Sequence, residues 1–254
     1  MTRLIGTTIV ILLLTFVASS VWAEEEAPSV DEQAEDFAKQ FKKEYKKMTA
    51  ADQMEAVDKL IGYFNNDQVT DKGARKSILD AISKATIVKD NTVVAHVMKK
   101  SEALGEEAVR IVLPVLNREL AQKVPDESVY GAALGTLGKI RSENKLVIKT
   151  LTKLLKDKDD SIVGLATRTI AGYADAPGSV RKELFEEVLK ATEGVYSGAQ
   201  SQNQTLERKW NIIGDDVKDA LSKLSGTKLS DPAAARKWFN DNKKKSWDPE
   251  PKKE

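Results

Sequence analysis

Apolar residues recur at intervals of three and four along most of the chain, and the alternation typical of β-strands is absent. Such spacing places apolar side chains on one side of an α-helix. It predicts helices at about 31–48, 50–64, 70–87, 91–104, 106–123, 127–140, 143–156, 160–173 and 179–193. The breaks between them are short, so neighbouring helices should form antiparallel hairpins. The sequence therefore predicts an all-α protein.

Proline interrupts one of these patterns. Pro114 lies inside the 106–123 segment. Because proline lacks a backbone N–H and crowds the preceding turn, we expect either a kink there or a helix that begins later.

The chain also repeats itself at an offset of 33 residues, the step from Asp126 to Asp159. The matching positions are Asp126/Asp159, Ser128/Ser161, Val129/Ile162, Gly131/Gly164, Ala133/Ala166, Thr136/Thr169 and Leu137/Ile170. We expect the aspartates to cap helices and the branched residues to fill the space between stacked helices. The small residues, including Gly131, Ala133 and Ala166, should let neighbouring helices approach closely. Helix pairs repeated with this period predict a solenoid.

The repeated pattern D-x-x-V-x-x-x-A-x-x-x-L resembles the first helix of a HEAT repeat, and 142–156 and 179–193 resemble its second helix. The resemblance covers 90–193 well and 50–89 more weakly. It implies a right-handed α-solenoid of stacked antiparallel helix pairs, with about 10–11 helices after residue 23. The run ALSKLSG…AARKWFNDN resembles the C-terminal closing module of exported bacterial HEAT-repeat proteins of planctomycete type.

Residues 1–23 have the pattern of a secretory signal peptide. Arg3 precedes an apolar stretch at 4–17, and Val21-Trp22-Ala23 forms a processing site before the acidic run 24–26. Cleavage near Ala23 would give an exported protein, periplasmic or extracellular. The alternative is an uncleaved N-terminal anchor, since 4–22 could just cross a bilayer.

These patterns divide the remaining chain into five parts. We assign 24–48 to an acidic stretch and an N-terminal capping helix, and 49–193 to HEAT-like repeats. A Gly/Ser/Gln-rich loop is predicted at 194–204, a C-terminal capping module with Trp210 and Trp238 at 205–242, and a charged tail at 243–254. Large aromatic side chains suit a module that covers the last apolar face of a solenoid.

Composition excludes several classes of function. The chain has 40 Lys+Arg against 39 Asp+Glu, whereas a dedicated nucleic-acid binder is usually strongly basic. One histidine, His96, and no cysteine leave too few ligands for a zinc or haem site. The Asp157–Ser161 run lacks the glycine of a calcium loop, so its acids should cap a helix. We therefore expect no catalytic, metal or cofactor-binding residues and no cofactor, and an enzyme is the third hypothesis.

One cluster is a candidate protein-binding site. Lys145, Lys149, Lys153 and Lys156, here called the basic ridge, lie opposite the apolar stripe of helix 143–156, whose members are Leu146, Ile148, Leu151, Leu154 and Leu155. In HEAT-like solenoids the second helices line the concave surface. The leading hypothesis is thus a non-catalytic exported scaffold that binds an acidic protein partner through that surface. The alternative for the ridge is a solvated or mutually paired surface.

The second hypothesis is a peripheral envelope component tethered to the membrane by its N-terminal segment. The lysines and aromatic residues of the first helix could lie on an anionic membrane. The same apolar stripe is equally what an N-terminal capping helix would bury.

Overall fold

The structure, a computed structural model, describes residues 27–248. Within that range it is all α-helical. Its α-helices are α1 (Val30–Glu44), α2 (Ala50–Phe64), α3 (Lys72–Ala85), α4 (Asn91–Lys100), α5 (Val109–Leu120), α6 (Glu127–Ile140), α7 (Lys145–Leu154), α8 (Asp160–Ala171), α9 (Gly178–Gln200), α10 (Gln204–Ser225) and α11 (Pro232–Asn242). Short 3₁₀ segments follow α1, α4 and α8. The signal peptide predicted at 1–23 lies outside the described residues.

Helix starts follow the capping residues of the sequence. Ser29 and Thr49 each form a reciprocal capping box with the acid three residues later. Asp90, Asp126 and Asp159 begin α4, α6 and α8 by accepting hydrogen bonds from backbone N–H groups of the first turn. The predicted capping role of the repeated aspartates is therefore confirmed.

The helices pack in sequential pairs and form two rows. In one row α2, α4, α6, α8 and α10 follow one another, and in the other α1 packs on α3, α3 on α5, and α7 on α9. Helices adjacent in sequence, such as α5–α6, α7–α8 and α9–α10, join the rows side by side. The predicted all-α fold of stacked helix pairs is confirmed.

The 33-residue repeat corresponds to α6 and α8, which are neighbours in the even row. The apolar members of the repeat are buried in both helices: Val129/Ile162, Ala133/Ala166 and Leu137/Ile170. The repeated threonines also make equivalent bonds. The Thr136 hydroxyl donates to the Met98 carbonyl of α4 at 2.7 Å, and the Thr169 hydroxyl donates to the Leu134 carbonyl of α6 at 3.2 Å. The repeat thus encodes a hydrogen bond between successive helices of this row.

One expectation about the small residues is wrong. A Cβ atom on Gly131 would meet nothing within 4 Å, so this glycine does not serve a close helix contact. Its repeat partner Gly164 does lie at a close contact, since a Cβ there would come within 3.2 Å of the Asp216 carboxylate of α10. A further close approach lies where the end of α8 crosses α6, with Gly172 directly against the backbone carbonyl of Gly138. Ala133 and Ala166 do lie in the buried space between helices, as expected.

The prediction of a loop at 194–204 is also wrong. Helix α9 continues to Gln200, and only residues 201–203 separate it from α10. Gly198 lies within this helix, directly against the Leu206 side chain of α10, where a larger residue would clash. Asn203 then caps α10 by accepting N–H bonds from Thr205 and Leu206.

Pro114 lies inside helix α5, which begins later than the predicted 106 but well before the proline. A 3₁₀ segment, Ser101–Ala108, precedes α5, and Gly105 within it has a φ of 58°, which favours glycine. Helix α5 begins at Val109, so Pro114 lies in its second turn.

The C-terminal helices cover the end of the rows with aromatic side chains. Phe185 of α9 is fully buried, with ring centroids of Trp238 and Phe239 at 5.4 and 5.5 Å. Helix α11 carries both of the latter and begins at Pro232 behind the Asp231 cap.

The segment predicted as a charged tail is partly folded. Trp247 packs edge-on to Phe185 at 5.4 Å, and the Asp248 carboxylate accepts the backbone N–H of Gly178 at the start of α9. The Lys182 ammonium donates to the carbonyls of Lys243 and Lys245. Residues 243–248, here called the C-terminal strap, are therefore docked through one aromatic ring and these hydrogen bonds.

Candidate protein-binding groove

Three lysines of the basic ridge lie on α7, which begins behind the Asn144 cap, and Lys156 lies in the turn that follows it. All four lysines are exposed. The opposite side of α7 is buried through Val147, Ile148, Leu151 and Leu154.

Leu146 departs from the predicted apolar stripe. It is 63% exposed, and Val147 occupies the buried position instead. The run Leu146-Val147-Ile148 holds more apolar residues than one side of a helix can bury, because successive residues are about 100° apart. One of the three must face outward, and Leu146 faces α5 across a groove.

A continuous groove separates α5 from α7. One half is lined by Leu113 and Pro114 of α5 and by Leu146 of α7, and it encloses about 650 Å³. The other half, of similar volume, is lined by Leu120, Thr150, Lys149, Lys153, Lys156 and Asp157. Asn117 and Leu146 border both halves.

The four lysines of the basic ridge differ in whether they line the groove. Lys149, Lys153 and Lys156 line the groove, whereas Lys145 does not. Lys156 also lies 3.7 Å from the Glu187 carboxylate of α9. Within residues 27–248, Lys149 and Lys153 form no ion pair.

The acids around the groove already have partners. Glu106 accepts the Ser142 hydroxyl at 2.6 Å, and Glu107 pairs with Arg110 at 3.1 Å. Asp157 accepts the backbone N–H of Asp159. Glu106 and Asp157 keep their negative charge, because only neutral groups donate to them. In the half of the groove that Lys149 and Lys153 line, the lysines outnumber the one carboxylate, Asp157, so that half is net positive.

Sequence reasoning missed the α5 wall of this groove. Leu113, Pro114 and Asn117 lie about 30 residues before α7, and no local pattern relates the two helices. The one available signal was Leu146 itself, as the surplus apolar residue of its run.

Elsewhere, His96 joins two even-row helices. Its Nε2 lies 2.8 Å from Asp58 Oδ1, and the Lys100 ammonium donates to Asp58 Oδ2 at 3.0 Å. Partial burial acts to raise the pKa of Asp58, but the hydrogen bonds from Lys100 and His96 and their charges lower it overall. This arrangement ties α2 to α4.

Two further properties concern the described part of the chain. Between residues 27 and 248 no group of three or more acidic or histidine side chains is placed to hold a metal ion. In the same range no helix combines the length and the apolar character needed to cross a membrane.

The aromatic stripe of α1 is used in packing. Phe41 and Tyr45 are buried, and the Phe37 ring lies 5.9 Å from that of Tyr63 beneath the Lys59 ammonium, which is 4.3 Å from its centroid. These rings therefore hold α1 against α2 and its neighbours.

Comparison with known proteins gives little more. No family model matches the sequence, and no curated protein matches it. A solved structure that resembles it is the crystal structure of an engineered protein from the Northeast Structural Genomics Consortium. That chain is 19% identical, with 75% of this chain and 90% of that one covered and a TM-score of 0.33. At those values the likeness carries no argument about family or function.

Proposed function

We propose that this chain is a non-catalytic scaffold that binds another protein through the groove between α5 and α7. The observation that carries the proposal is the placement of an exposed leucine, Leu146, in one groove with two lysines that form no ion pair in the described chain. A single exposed apolar residue is ordinary on a protein surface. Leu146, however, lines a groove together with Leu113 and Pro114, and charged residues border that groove. An apolar patch with a charged rim is typical of an interaction site.

We further propose that the scaffold is a HEAT-type, right-handed α-solenoid. The support is the 33-residue repeat, whose capping, buried and hydrogen-bonding positions are equivalent in α6 and α8. Repeat proteins of this kind present successive helices as one extended binding surface, because each repeat contacts only its neighbours.

Export is the third part of the proposal, and it rests on the signal-peptide pattern of residues 1–23. An envelope component tethered by an uncleaved apolar segment at 4–22 is the second candidate. Cell fractionation distinguishes them. Release by osmotic shock with a mature N-terminus at Glu24 supports export and cleavage, and a salt-resistant pellet that retains the first residues supports the tether.

Photo-crosslinking in intact cells tests the binding groove. A benzophenone amino acid replaces Leu146 in one variant and Ile212, which is 50% exposed on α10, in a matched control. We expect a discrete crosslinked protein at position 146 that disappears when Lys149 and Lys153 are changed to glutamate. Equal adducts at both positions, or none at 146, would contradict the proposal.

A further inference from the structure

The groove between α5 and α7 is not uniform along its length. Toward the start of α7 its walls are apolar, through Leu113, Pro114 and Leu146. Toward the end of α7 its wall carries Lys149 and Lys153. The nearby acids at the apolar end, Glu106 and Glu107, are already bonded to Ser142 and Arg110. A ligand that fills the whole groove would therefore meet an apolar surface at one end and positive charge at the other.

We infer that the partner presents an extended acidic peptide segment, with an apolar anchor residue in the apolar half and acidic residues beside Lys149 and Lys153. This inference rests on the proposed function and specifies the partner's chemistry. Charge complementarity is the argument for the acidic part, since these two ammonium groups have no carboxylate partner within residues 27–248.

Helix geometry sets the spacing of such a motif. At 1.5 Å per residue along α7, Lys149 lies about 4.5 Å and Lys153 about 10 Å beyond Leu146 along the helix axis. An extended peptide advances about 3.3 Å per residue. Acidic residues one to three positions from the apolar anchor would thus reach the lysines.

The groove accommodates an extended chain along its length. The walls α5 and α7 pack on α6 and α8, which are direct neighbours in the even row. The groove lies between the two walls, because α5 and α7 are not closely packed on each other. An extended segment in such a groove places its side chains against both walls.

The apolar half also distinguishes a peptide from other polyanions. A nucleic-acid backbone or an anionic membrane would contact the lysines without needing an anchor beside Leu146. The Glu106 carboxylate, to which only a hydroxyl donates, borders the apolar half and would lie against a continuous row of phosphates. A short segment with one apolar and a few acidic residues avoids that repulsion.

Fluorescence anisotropy with defined peptides tests the inference on the chain from residue 24 onward. The probe is a labelled Gly/Ser ten-residue peptide with one leucine followed by glutamates at the next three positions. A second probe reverses that order, and a third replaces the glutamates with lysines. We expect one of the two acidic probes to bind and the lysine probe not to bind.

Variants locate the binding. The double change Lys149→Glu with Lys153→Glu should lower the affinity for the acidic probe by roughly tenfold or more. The reason is that two solvent-screened ion pairs are lost and replaced by repulsion. Leu146→Ser should also weaken it while leaving the melting temperature unchanged, because Leu146 is exposed. Lys99→Glu with Lys237→Glu is the charge-matched control, since both lysines are exposed and neither lines the groove. Ile212→Ser is the control for Leu146→Ser.

The outcomes separate the inference from the proposed function. Acidic and lysine probes that bind equally, or acidic binding unaffected by Leu146→Ser, would overturn the inference. So would displacement of the peptide by anionic vesicles or single-stranded DNA at equal charge concentration. If crosslinks at position 146 persist in those cases, the scaffold function stands with a different ligand. If they are absent as well, both fail.

Discussion

The Thr136 hydroxyl donates a hydrogen bond of 2.7 Å to the backbone carbonyl of Met98, which joins α6 to α4 across the buried interior of the even row. Thr169 repeats the arrangement from α8 to α6 at 3.2 Å and also bonds to its own helix at Leu165. Both threonines are buried. A polar group at a repeated buried position thus fixes how far one helix slides along the next.

The bond from Thr136 should contribute to stability. Thr136→Val keeps the shape of the side chain and removes the hydroxyl, so we expect a loss of about 1 kcal/mol in the free energy of unfolding. Thr167→Val is the control, because the Thr167 hydroxyl is equally buried but bonds only to Val163 of its own helix. Urea titration of both variants checks the difference. Equal stabilities would show that the bond between α6 and α4 contributes no more than a hydroxyl bond within one helix.

The contact of Gly172 with Gly138 leads to a second prediction. A Cβ atom at Gly172 would collide with the Gly138 carbonyl, which is backbone and cannot rotate away. Gly172→Ala should therefore destabilise the protein by about 1–3 kcal/mol.

Gly135, which lies on α6 as Gly138 does, provides the matched control. It is exposed, and a Cβ there would meet nothing within 4 Å. Gly135→Ala should raise stability by about 0.5–1 kcal/mol, because alanine favours the helix. Thermal melts of the two variants should move in opposite directions. A shift of the same sign in both would place the helix crossing elsewhere.

Local sequence signals predicted much of this fold because they act within one or two turns. Asp126 and Asp159 cap the helices that follow them, and Ala133 and Ala166 occupy the buried positions that the 33-residue repeat indicated. Glycine was harder to interpret. Gly198 lies in a Gly/Ser/Gln-rich stretch that is typical of a loop, and only its contact with Leu206 of the next helix shows why a glycine is needed there.

The groove could be predicted only in part, because its two walls come from helices that are distant in sequence. The lysines of α7 follow one helical stripe that is visible in the sequence. The opposing wall at Pro114 depends on how α5 and α7 are held apart by their partners in the even row. That separation depends on packing between segments that are distant in sequence. The spacing of apolar and charged residues within either helix carries no information about it.

An ion pair between α9 and α11 predicts a dependence of stability on pH. Both oxygens of Glu193 accept hydrogen bonds from the Arg236 guanidinium, at 3.1 and 2.6 Å. These bonds lower the pKa of Glu193 below its ordinary value of 4.5, against the opposing effect of burial. The lowered pKa means that the pair stabilises the fold fully above pH about 4.5, and that this contribution is lost as the pH falls through the folded-state pKa.

We expect Glu193→Gln to cost about 0.5 kcal/mol at pH 7, a small value because the Glu193 side chain is 41% exposed and solvent screens the pair. The difference from the wild type should shrink as the pH falls below about 4.5 and through the folded-state pKa of Glu193. Urea titrations across the acid range check it, with Glu183→Gln as the control, since Glu183 is exposed on the same helix. A difference that does not shrink with falling pH would assign the effect to something other than this charge.

The aromatic cluster at the C-terminal end provides the last prediction. Phe185 is fully buried among Trp238, Phe239 and Trp247, so Phe185→Ala should cost about 3–5 kcal/mol. Trp247 is only half-buried, and Trp247→Ala should cost about 2 kcal/mol. Val124→Ala, at a residue 80% exposed, should leave stability unchanged. Melting temperatures from thermal unfolding rank the three variants by the stability that each has lost. If Trp247→Ala unfolds like the wild type while Phe185→Ala does not, the C-terminal strap is not docked in solution, and the Phe185 cluster is closed by α11 alone.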